Sequence, residues 1–510
     1  MTAFDQLVNG FAIALSWKGL LYCFIGCLWG TIVGVLPGLG PLAGMTLLLP
    51  MTIRDPFTGL PQDPTIGIIM LTGIFYGAMY GGSTTSILVR IPGEAASVIT
   101  CIDGYEMARR GRAGPALMVA AVGSFIGGTV SILGLMLITP PLAKVMIAIG
   151  PSVQVVLLLL ALSVIAVVSA GSRLKTTMMM VLGLLLTLIG LDHLDAVPRM
   201  TFGSTTLTAG LQFTSLAIGL FGISEILINL EKTETIKAIW PKFRDLIPRM
   251  KDVRDASPAI ARGSIIGFIF GVIPGVSHVV STFVSYAVEK KFSRHPEEFG
   301  HGAIAGVAGP ETANNAVTGT AMIPLLALGI PSIPATALLL SALTLHGVQP
   351  GPLLLKDHAE VFWGLVASMY IGNVILLILN LPLVSAFVWL LRIPYAWLVP
   401  IILIVSVIGA YSVAFSTADI WLMVISGGAG YVLRKFGYEM APLLLAFVLG
   451  DRLEEQMRLA LTMSGGSYAT FADNTSIIVL TSVLGLLLGV QAVAWLFGYR
   501  KSVADEAEGA

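Results

Sequence analysis

Charged residues are scarce in this chain. Only 11% of its 510 residues are Asp, Glu, Lys or Arg, whereas 56% are hydrophobic; soluble domains carry about 25% charged residues. The 29 basic residues balance the 29 acidic ones, so the chain lacks the net positive charge that marks nucleic-acid-binding proteins. These deficits exclude a soluble domain and a nucleic-acid partner. They indicate an all-α polytopic protein embedded in membrane lipid.

Cysteine is also scarce, and the signature motifs of common enzyme classes are missing. The three cysteines are Cys23, Cys27 and Cys101, too few for a disulfide framework. Cys23 and Cys27 share a helix face without a nearby histidine or acid, so we expect small packing residues rather than a metal site. The sequence contains no HExxH, no GxSxG and no nucleotide-binding loop. It therefore predicts no catalytic residue, no metal and no cofactor.

Glycine, by contrast, is regularly spaced in two places. The segment GCLWGTIVGVLPGLGP (26–41) has glycine at every fourth position up to Gly38, which follows Pro37. The segment GSIIGFIFGVIPGVSH (263–278) repeats this arrangement 237 residues later, with Pro274 before Gly275. The coincidence predicts an internal duplication. We expect a first membrane repeat over 1–230, a cytoplasmic linker over 231–262 and a second membrane repeat over 263–510.

Each copy of this motif has a physical interpretation. Glycine at every fourth position gives one helix face without side chains, so that another backbone can pack closely. The Pro-Gly pair then breaks the helix. Inside a membrane, a broken helix persists only where it is buried in protein or lines a watery cavity. Either copy alone is compatible with a kinked packing motif that binds nothing, but one copy in each half is typical of the substrate site of membrane carriers.

The distribution of charge predicts how these segments cross the membrane. Residues 19–53 carry no charged side chain, and as one helix they would span roughly 52 Å, well beyond the roughly 30 Å of hydrocarbon. We therefore expect a helical hairpin or a two-part broken helix that turns at Pro37–Pro41. The second copy has basic residues at both ends, which predicts a re-entrant hairpin opening to the cytoplasm. Altogether we expect about 12 transmembrane helices with re-entrant or broken helices in two inverted repeats, and the topology of 434–474 stays open.

The most polar cluster within an apolar run is GPETANNAVTGTAMIP (309–324). Glu311, Asn314 and Asn315 supply a carboxylate and two amides, which could bind a coupling cation through their oxygens or a substrate carboxylate through their N–H groups. Hydrogen bonding between helices is the alternative role, because asparagine often does this in membranes. We favour a functional role, since ionisable residues inside membranes usually serve one.

The substrate site is expected where the two helix breaks meet. Broken-helix N-termini offer free N–H groups and a positive dipole end, which suit a carboxylate, while exposed carbonyls at the opposite ends suit Na⁺. We therefore assign substrate binding to the break residues, to hydroxyls on the next apolar run and to the arginine and asparagines near them: Gly38, Gly40, Gly275, Ser277, Ser83, Thr84, Thr85, Arg90, Asn314 and Asn315.

Three ionisable residues in or beside these segments have roles that the sequence leaves open. Arg90 could face an anionic substrate or extend to the lipid surface from a helix end. Glu94 could pair with Arg90 and have no other role. His278 could sense pH or donate to an anion, although a lone histidine at a hairpin tip is more often structural.

Four long stretches share these glycine, proline and polar patterns with a known family. They are GVLPGLGPLAGMTLLLP (34–50), YGAMYGGSTTSILVRIPGEAASVITCIDGYEMARRGRAG (76–114), GVIPGVSHVVSTFVSYAVEKKFS (271–293) and GPETANNAVTGTAMIPLLALGIPSIPATALLL (309–340). They resemble the large membrane subunit of the tripartite tricarboxylate transporters, the TctA family.

This resemblance implies a multi-pass carrier of the bacterial inner membrane. The family works with a small four-helix membrane subunit (TctB-like) and a periplasmic binding protein (TctC-like) that captures carboxylates such as citrate. Transport is driven by an ion gradient, so Na⁺ or H⁺ is the expected coupling ion. Self-association into a homo-oligomer is compatible with the sequence.

Other functions remain open at the level of sequence. An intramembrane enzyme acting on lipid or peptide would need Glu311, His278 and Asp103 to converge in a water-filled cleft. A self-sufficient carboxylate carrier would need no binding protein, and a passive channel would ignore the ion gradient. A duplicated pair of broken helices favours the carrier, because alternating access uses both copies whereas an enzyme needs one active site.

Overall fold

The computed structural model describes residues 3–36, 39–55, 58–147, 149–168, 172–192, 195–231, 246–275, 278–390, 395–472 and 477–486. Within them, five helices are long and apolar enough to cross a membrane, and five shorter apolar helices accompany these. The prediction of an all-α polytopic membrane protein is confirmed. The number of about 12 crossings stays a prediction.

Twenty-two α-helices are numbered here along the described residues, and a further helix covers Ile477–Leu486. In the first half they are α1 Ala3–Ala14, α2 Trp17–Val35, α3 Gly40–Ile53, α4 Pro64–Val89, α5 Thr100–Arg109, α6 Ala113–Ile147, α7 Pro151–Val168, α8 Arg173–Thr187, α9 Thr205–Thr208, α10 Phe213–Ala217 and α11 Ser224–Leu230. In the second half they are α12 Met250–Val272, α13 His278–Phe292, α14 Ala305–Thr320, α15 Met322–Leu328, α16 Pro334–Leu345, α17 Leu354–Asp357, α18 Ala359–Asn380, α19 Val384–Leu390, α20 Tyr395–Ala414, α21 Thr417–Lys435 and α22 Met440–Met463.

Shorter elements connect these helices. A π-helical turn, Ile218–Ile223, joins α10 to α11, and 3₁₀ turns cover Ala95–Val98, Pro296–Glu298 and Tyr468–Phe471. The strands β1 (Gly190–Leu191) and β2 (Pro198–Arg199) form an antiparallel pair. Residues 232–245 of the predicted linker lie outside the described residues, and α12 already begins at Met250, within the range predicted as linker.

The first glycine-rich segment forms a helical hairpin, which we name the first hairpin (α2 and α3). Helix α2 ends at Val35, Leu36 is extended (φ −83°, ψ 109°), and α3 begins at Gly40. The indole N–H of Trp29 donates to the carbonyl oxygen of Gly44 at 3.1 Å, whereas a straight helix would separate these residues by about 22 Å. The chain therefore folds back on itself between 36 and 39, close to the predicted turn.

The second glycine-rich segment forms a matching second hairpin (α12 and α13). Helix α12 ends at Val272 and Ile273 is extended (φ −81°, ψ 115°). The arms meet again at the far end, because Arg262 Nε donates to Glu289 Oε1 at 2.8 Å. Lys18 and Asp55 pair at 3.1 Å across the open end of the first hairpin. Each hairpin thus opens beside an ion pair, and both of its arms reach the same side of the protein.

The glycine series places the first arm of each hairpin directly against the helix that follows the hairpin. A Cβ atom added to Gly30 would lie 2.3 Å from the carbonyl oxygen of Ile74, and one added to Gly267 would lie 2.3 Å from that of Ala313. The same approach to a carbonyl oxygen recurs at Gly26 with Met70, Gly34 with Ala78 and Gly263 with Gly309, while a Cβ atom added to Gly271 would lie 2.9 Å from Val317 Cα. Because these partners advance together, α2 runs parallel to α4, and α12 runs parallel to α14.

Helices α4 and α14, in contrast, run antiparallel to each other. Ser83 Oγ donates to Glu311 Oε2 at 2.5 Å. Seven residues earlier on α4, the hydroxyl of Tyr76 lies 2.5 Å from a Cβ added to Gly319, which is further along α14. Since each hairpin opens toward the start of its partner helix, the two hairpins open toward opposite ends of the molecule.

The loop after α4 and the loop after α15, the short helix that follows α14, share one backbone conformation. Arg90 ends α4 in the left-handed region (φ 61°, ψ 24°), and Gly329 ends α15 in the same region (φ 70°, ψ 20°). Four residues on, Glu94 (φ −145°, ψ 164°) matches Ile333 (φ −144°, ψ 160°). We name residues 90–98 the first loop and residues 329–336 the second loop. Gly329 adopts the left-handed conformation without strain. Arg90 adopts it at a cost, because its Cβ atom clashes with the backbone there.

The core surrounds α4, whose apolar window is entirely buried. Asp63 caps the start of α4 by accepting from Thr65 N–H at 2.7 Å, with Pro64 at the first helical position. Asn373 of α18 accepts a hydrogen bond from Tyr80 of α4 at 2.6 Å and donates to the carbonyl oxygen of Phe125 on α6 at 2.9 Å. Polar contacts therefore join the packed helices around α4.

The opposite openings of the two hairpins predict a labelling pattern. Cysteines introduced at Ser257 and Lys291, both exposed near the second opening, should react with an impermeant thiol reagent from one side of the membrane. A cysteine introduced at Leu60, exposed near the first opening, should react from the other side. The wild-type chain, whose cysteines are buried or half-buried, is the control. Labelling of 257 and 291 from different sides would contradict the second hairpin, and labelling of all three from one side would contradict the opposite openings.

Candidate functional site

A group of polar side chains, all buried except the half-buried Glu94, lies between α4, α14 and the first loop. We name it the polar cluster: Ser83, Glu94, Thr100, Ser124, Glu311, Asn314 and Asn315. Glu311 is 1% exposed and is held at both carboxylate oxygens. Ser83 Oγ donates to Oε2 at 2.5 Å, and Thr100 Oγ1 donates to Oε1. The helix of the second half thus supplies the acid, and the first half supplies both hydroxyl donors.

Glu94 is the second carboxylate of the polar cluster. Its Oε1 accepts a hydrogen bond from Asn314 Nδ2 at 2.6 Å. Gly82 makes room for it, since a Cβ atom at Gly82 would lie 2.8 Å from Glu94 Cγ. The expectation that Glu94 pairs with Arg90 is therefore wrong: the side chain turns inward to α14, while Arg90 is exposed and lies 5.7 Å from the ring centre of Tyr105.

The two asparagines predicted from the sequence both face the interior of the protein. Asn315 Nδ2 donates to Ser124 Oγ at 2.7 Å and to the carbonyl oxygen of Glu311 at 3.1 Å. Among the described residues, neither Asn314 Oδ1 nor Asn315 Oδ1 accepts a hydrogen bond, although both atoms are buried. A buried acceptor without a donor is costly. The polar cluster therefore holds two oxygens that a cation or a donor group could satisfy.

The tip of the second hairpin lies one turn further along α14. His278 Nε2 is 3.2 Å from Thr318 Oγ1, and the imidazole packs edge-on against Phe75 with ring centres 5.8 Å apart. Gly275 takes a positive φ of 86° and donates its N–H to the carbonyl oxygen of Ser332 at 3.1 Å. The second loop thus uses the Gly275 N–H, which is not free to bind an anion in this conformation.

The tip of the first hairpin approaches the first loop in the corresponding way. A Cβ atom added to Gly93 would lie 2.1 Å from the carbonyl oxygen of Gly34, so these two backbones are in direct contact. Gly40 takes a φ of 64° at the start of α3, and a Cβ there would meet no atom within 4 Å. Gly38 and Ser277, the other two break residues assigned to substrate, lie outside the described residues.

The hydroxyl residues assigned to substrate are divided between two roles. Ser83 belongs to the polar cluster. Thr85 Oγ1 donates at 3.1 Å to the carbonyl oxygen of Gly82 in its own helix, and Thr84 is buried at 2% exposure. The structure brings Ser83, Glu311, Asn314 and Asn315 together and leaves Arg90 outside this group.

Asp103 does not join the polar cluster. Its Oδ1 accepts from three backbone N–H groups within residues 300–303 at 2.7–2.9 Å, and its Oδ2 accepts from the Tyr286 hydroxyl at 2.9 Å. These bonds occupy both carboxylate oxygens and fasten the segment after α13 to α5. The convergence of Asp103 with Glu311 and His278, which the enzyme alternative requires, is therefore not assembled.

The cysteines and acids do not form a metal centre among the described residues, in which no group of three or more potential metal-binding side chains occurs. Cys23 Sγ and Cys27 Sγ face the carbonyl oxygens of Ser368 and Gly372 on α18, at 3.7 and 3.8 Å. They pack at a helix contact, as expected of small apolar residues.

A comparison with known protein families identifies the family of this chain. A model described as the tripartite tricarboxylate transporter TctA family matches residues 20–445. The chain belongs to this family. It is therefore a membrane component of a transporter family, and the match covers the polar cluster, the second hairpin and all but the first three residues of the first hairpin.

Two proteins of Agrobacterium vitis are similar to this TctA-family chain. One, named "Uncharacterized 52.8 kDa protein in TAR-I ttuC' 3'region", is 45% identical over 496 residues, which is 97% of each chain. The other, "Uncharacterized protein in TAR-II ttuC' 3'region", is 50% identical over 220 residues, or 43% of this chain and 90% of the relative. No solved structure matches this TctA-family chain.

Proposed function

We propose that this chain is the large membrane subunit of a binding-protein-dependent secondary carrier that imports small organic carboxylates, such as di- and tricarboxylates, with a cation. The observation that carries the proposal is a pair of hairpins that open in opposite directions. The tip of each hairpin, with the loop that it contacts, lies beside the same polar cluster. Alternating access needs two such units around one site, so that the site can be reached from each side in turn.

The residues divide into a cation end and a substrate end. We assign the coupling cation to Glu311, Asn314 and Asn315, whose carboxylate and free amide oxygens suit a hard monovalent ion or a proton. We assign the carboxylate substrate to the hairpin tips, at Gly38, Gly40 and Ser277, with the threonines of α4 nearby. Gly275 would bind substrate only after its N–H leaves Ser332, so its role requires the second loop to move.

The matching backbones support the proposed duplication. The hairpins, their glycine contacts and the loops after α4 and α15 correspond in order and conformation, although α4 and α14 run antiparallel. We propose two inverted repeats on this basis. The first covers residues 1–230 and the second covers residues 263–510, with a cytoplasmic linker over 231–262 between them.

The proposed assembly follows from the family. A tripartite transporter requires two further components, and we propose a small four-helix membrane subunit and a periplasmic binding protein. The chain would then reside in a bacterial inner membrane, with Na⁺ or H⁺ as the driving ion.

Uptake into proteoliposomes tests this function. The full chain is reconstituted with and without its small subunit and binding protein, and labelled carboxylates are offered under an imposed Na⁺ or H⁺ gradient. We expect uptake that requires both the gradient and the binding protein. Gradient-driven uptake without the binding protein would indicate a self-sufficient carrier. Uptake that ignores the gradient would indicate a channel, and no uptake by folded protein would contradict the transport proposal.

A further inference from the structure

Glu94 is a carboxylate that the fold of its loop does not require. The first and second loops share their left-handed start and their extended conformation four residues later, yet the second loop carries Ile333 where the first carries Glu94. In both loops this residue's N–H is bonded to a hydroxyl three residues on, Ser97 at 3.4 Å and Thr336 at 3.1 Å. The same bond from a backbone N–H to a hydroxyl thus forms this turn whether the residue is Glu94 or Ile333, and the acid at 94 needs another explanation.

The Glu94 carboxylate accepts a hydrogen bond from the opposite half of the protein. It reaches past Gly82 to Asn314 of α14, with 2.6 Å between Oε1 and Nδ2. The other end of the same amide, Asn314 Oδ1, is buried without a hydrogen-bond donor among the described residues, and Asn314 is 1% exposed. The free oxygen of this amide lies beside the carboxylate, so the two groups together offer acceptor oxygens that a cation could satisfy.

The charged surroundings of Glu94 favour a positive occupant. Glu311 is close enough for the two carboxylates to interact electrostatically, so they repel each other when both are ionised. The other titratable groups nearby are Arg90 on the same loop, which is exposed, Cys101 near the start of α5, and His278, which lies against Thr318 one turn further along α14. Half-burial of Glu94 itself leaves it reachable from the side of the first loop.

We propose that Glu94 is a second acidic ligand of the coupling-cation site, and that the cation is held between the Glu94 carboxylate and Asn314 Oδ1, beside Glu311. This inference rests on the proposed function and deepens it. The cation would join the first loop to α14, so that its binding fastens the first half of the chain to the second.

Two cations have the required chemistry. Na⁺ would take oxygen ligands from Glu94, Glu311 and Asn314. A proton on Glu94 would instead let the carboxylic acid donate to Asn314 Oδ1 while accepting from Nδ2, which satisfies the amide at both ends. The experiment therefore has one arm for each ion.

The test compares the wild-type chain with Glu94→Gln, which keeps an acceptor for Asn314 Nδ2 and removes the charge. Thermal stability of the purified full chain is measured against NaCl at constant ionic strength in one arm, and against pH without Na⁺ in the other. A ligand that binds only the folded state raises the melting temperature. We expect the wild type to be stabilised in one arm, and Glu94→Gln to need about tenfold more of that ion or to lose the effect, because the number of charged ligands sets cation affinity.

Two further variants make the result specific. Glu298→Gln removes an exposed carboxylate near the opening of the second hairpin and should respond as the wild type does. Glu94→Gln combined with Asn314→Asp exchanges acid and amide across the 2.6 Å contact and should recover part of the lost cation response. A merely structural role for Glu94 would not predict recovery by this exchange.

The outcomes separate this inference from the proposed function. If wild-type uptake is cation-driven and Glu94→Gln keeps the wild-type response to both ions, the role of Glu94 is overturned and the carrier function stands. If the wild type responds to neither ion and its uptake ignores both gradients, the proposed function fails along with the inference.

Discussion

Replacing Glu311 with glutamine should reduce gradient-driven carboxylate uptake by about 100-fold, the upper end of what is lost when partners of a bound ion are removed. Glutamine retains the shape and one acceptor oxygen, so the hydroxyl of Ser83 or Thr100 keeps a partner. The negative charge, however, disappears from a position that is 1% exposed. Initial uptake rates in proteoliposomes, normalised to reconstituted folded protein, measure the effect.

The control for this substitution is Glu360→Gln, which removes an exposed carboxylate at the start of α18. It should transport at the wild-type rate. If Glu311→Gln also kept the wild-type rate and cation dependence, Glu311 would serve helix packing alone and the assignment of the cation end would be wrong.

Replacing Gly30 or Gly267 with valine should lower the free energy of unfolding by about 3 kcal/mol or more. Overpacking in a core costs about 1–3 kcal/mol where side chains can adjust. Here the added Cβ would lie 2.3 Å from a backbone carbonyl oxygen at either position, so two helices must separate. The recovery of monodisperse protein after graded heating in detergent would measure the loss.

Gly428→Ala is the matched control for the glycine substitutions. Gly428 lies within α21, and a Cβ atom there would meet nothing within 4 Å. Alanine should be neutral or stabilising, because it has the higher helix propensity. Equal behaviour of Gly30→Val and Gly428→Ala would contradict the close approach of α2 to α4.

The sequence was sufficient to predict the hairpins because their causes are local. A charge-free run too long for one crossing, a Pro-Gly pair and glycine at every fourth residue all act within a few turns of helix. Glu311, Asn314 and Asn315 could be found for a similar reason, since polar residues within one apolar run are conspicuous.

Ser83 was also found, as a hydroxyl on an apolar run, but Thr100, Ser124 and the contact of Glu94 with α14 were missed because their partners are distant in sequence. Thr100 bonds to a residue 211 positions away, Glu94 to one 220 away and Ser124 to one 191 away. For Glu94, the nearest opposite charge suggested a pair with Arg90. The left-handed end of α4 instead turns the two side chains to different surroundings, and no local pattern reports such a turn at an arginine. If the two proposed repeats are aligned, Glu94 of the first loop corresponds to Ile333 of the second. This difference between an acid and an apolar residue could have singled out Glu94.

The complete burial of α4 explains why this helix is less hydrophobic than the other long helices. Of the five long apolar helices, α4 is the least hydrophobic and the most buried. Lipid imposes apolar side chains on the helices that touch it, whereas a helix enclosed by other helices is free of that demand and can carry glycine, hydroxyls and amides. Helix α14, with 16 residues and a glutamate, does not resemble a membrane span at all. In a carrier built this way, the helices that line the transport site have the lowest mean hydropathy. The least hydrophobic of the buried segments are therefore the first place to search for that site.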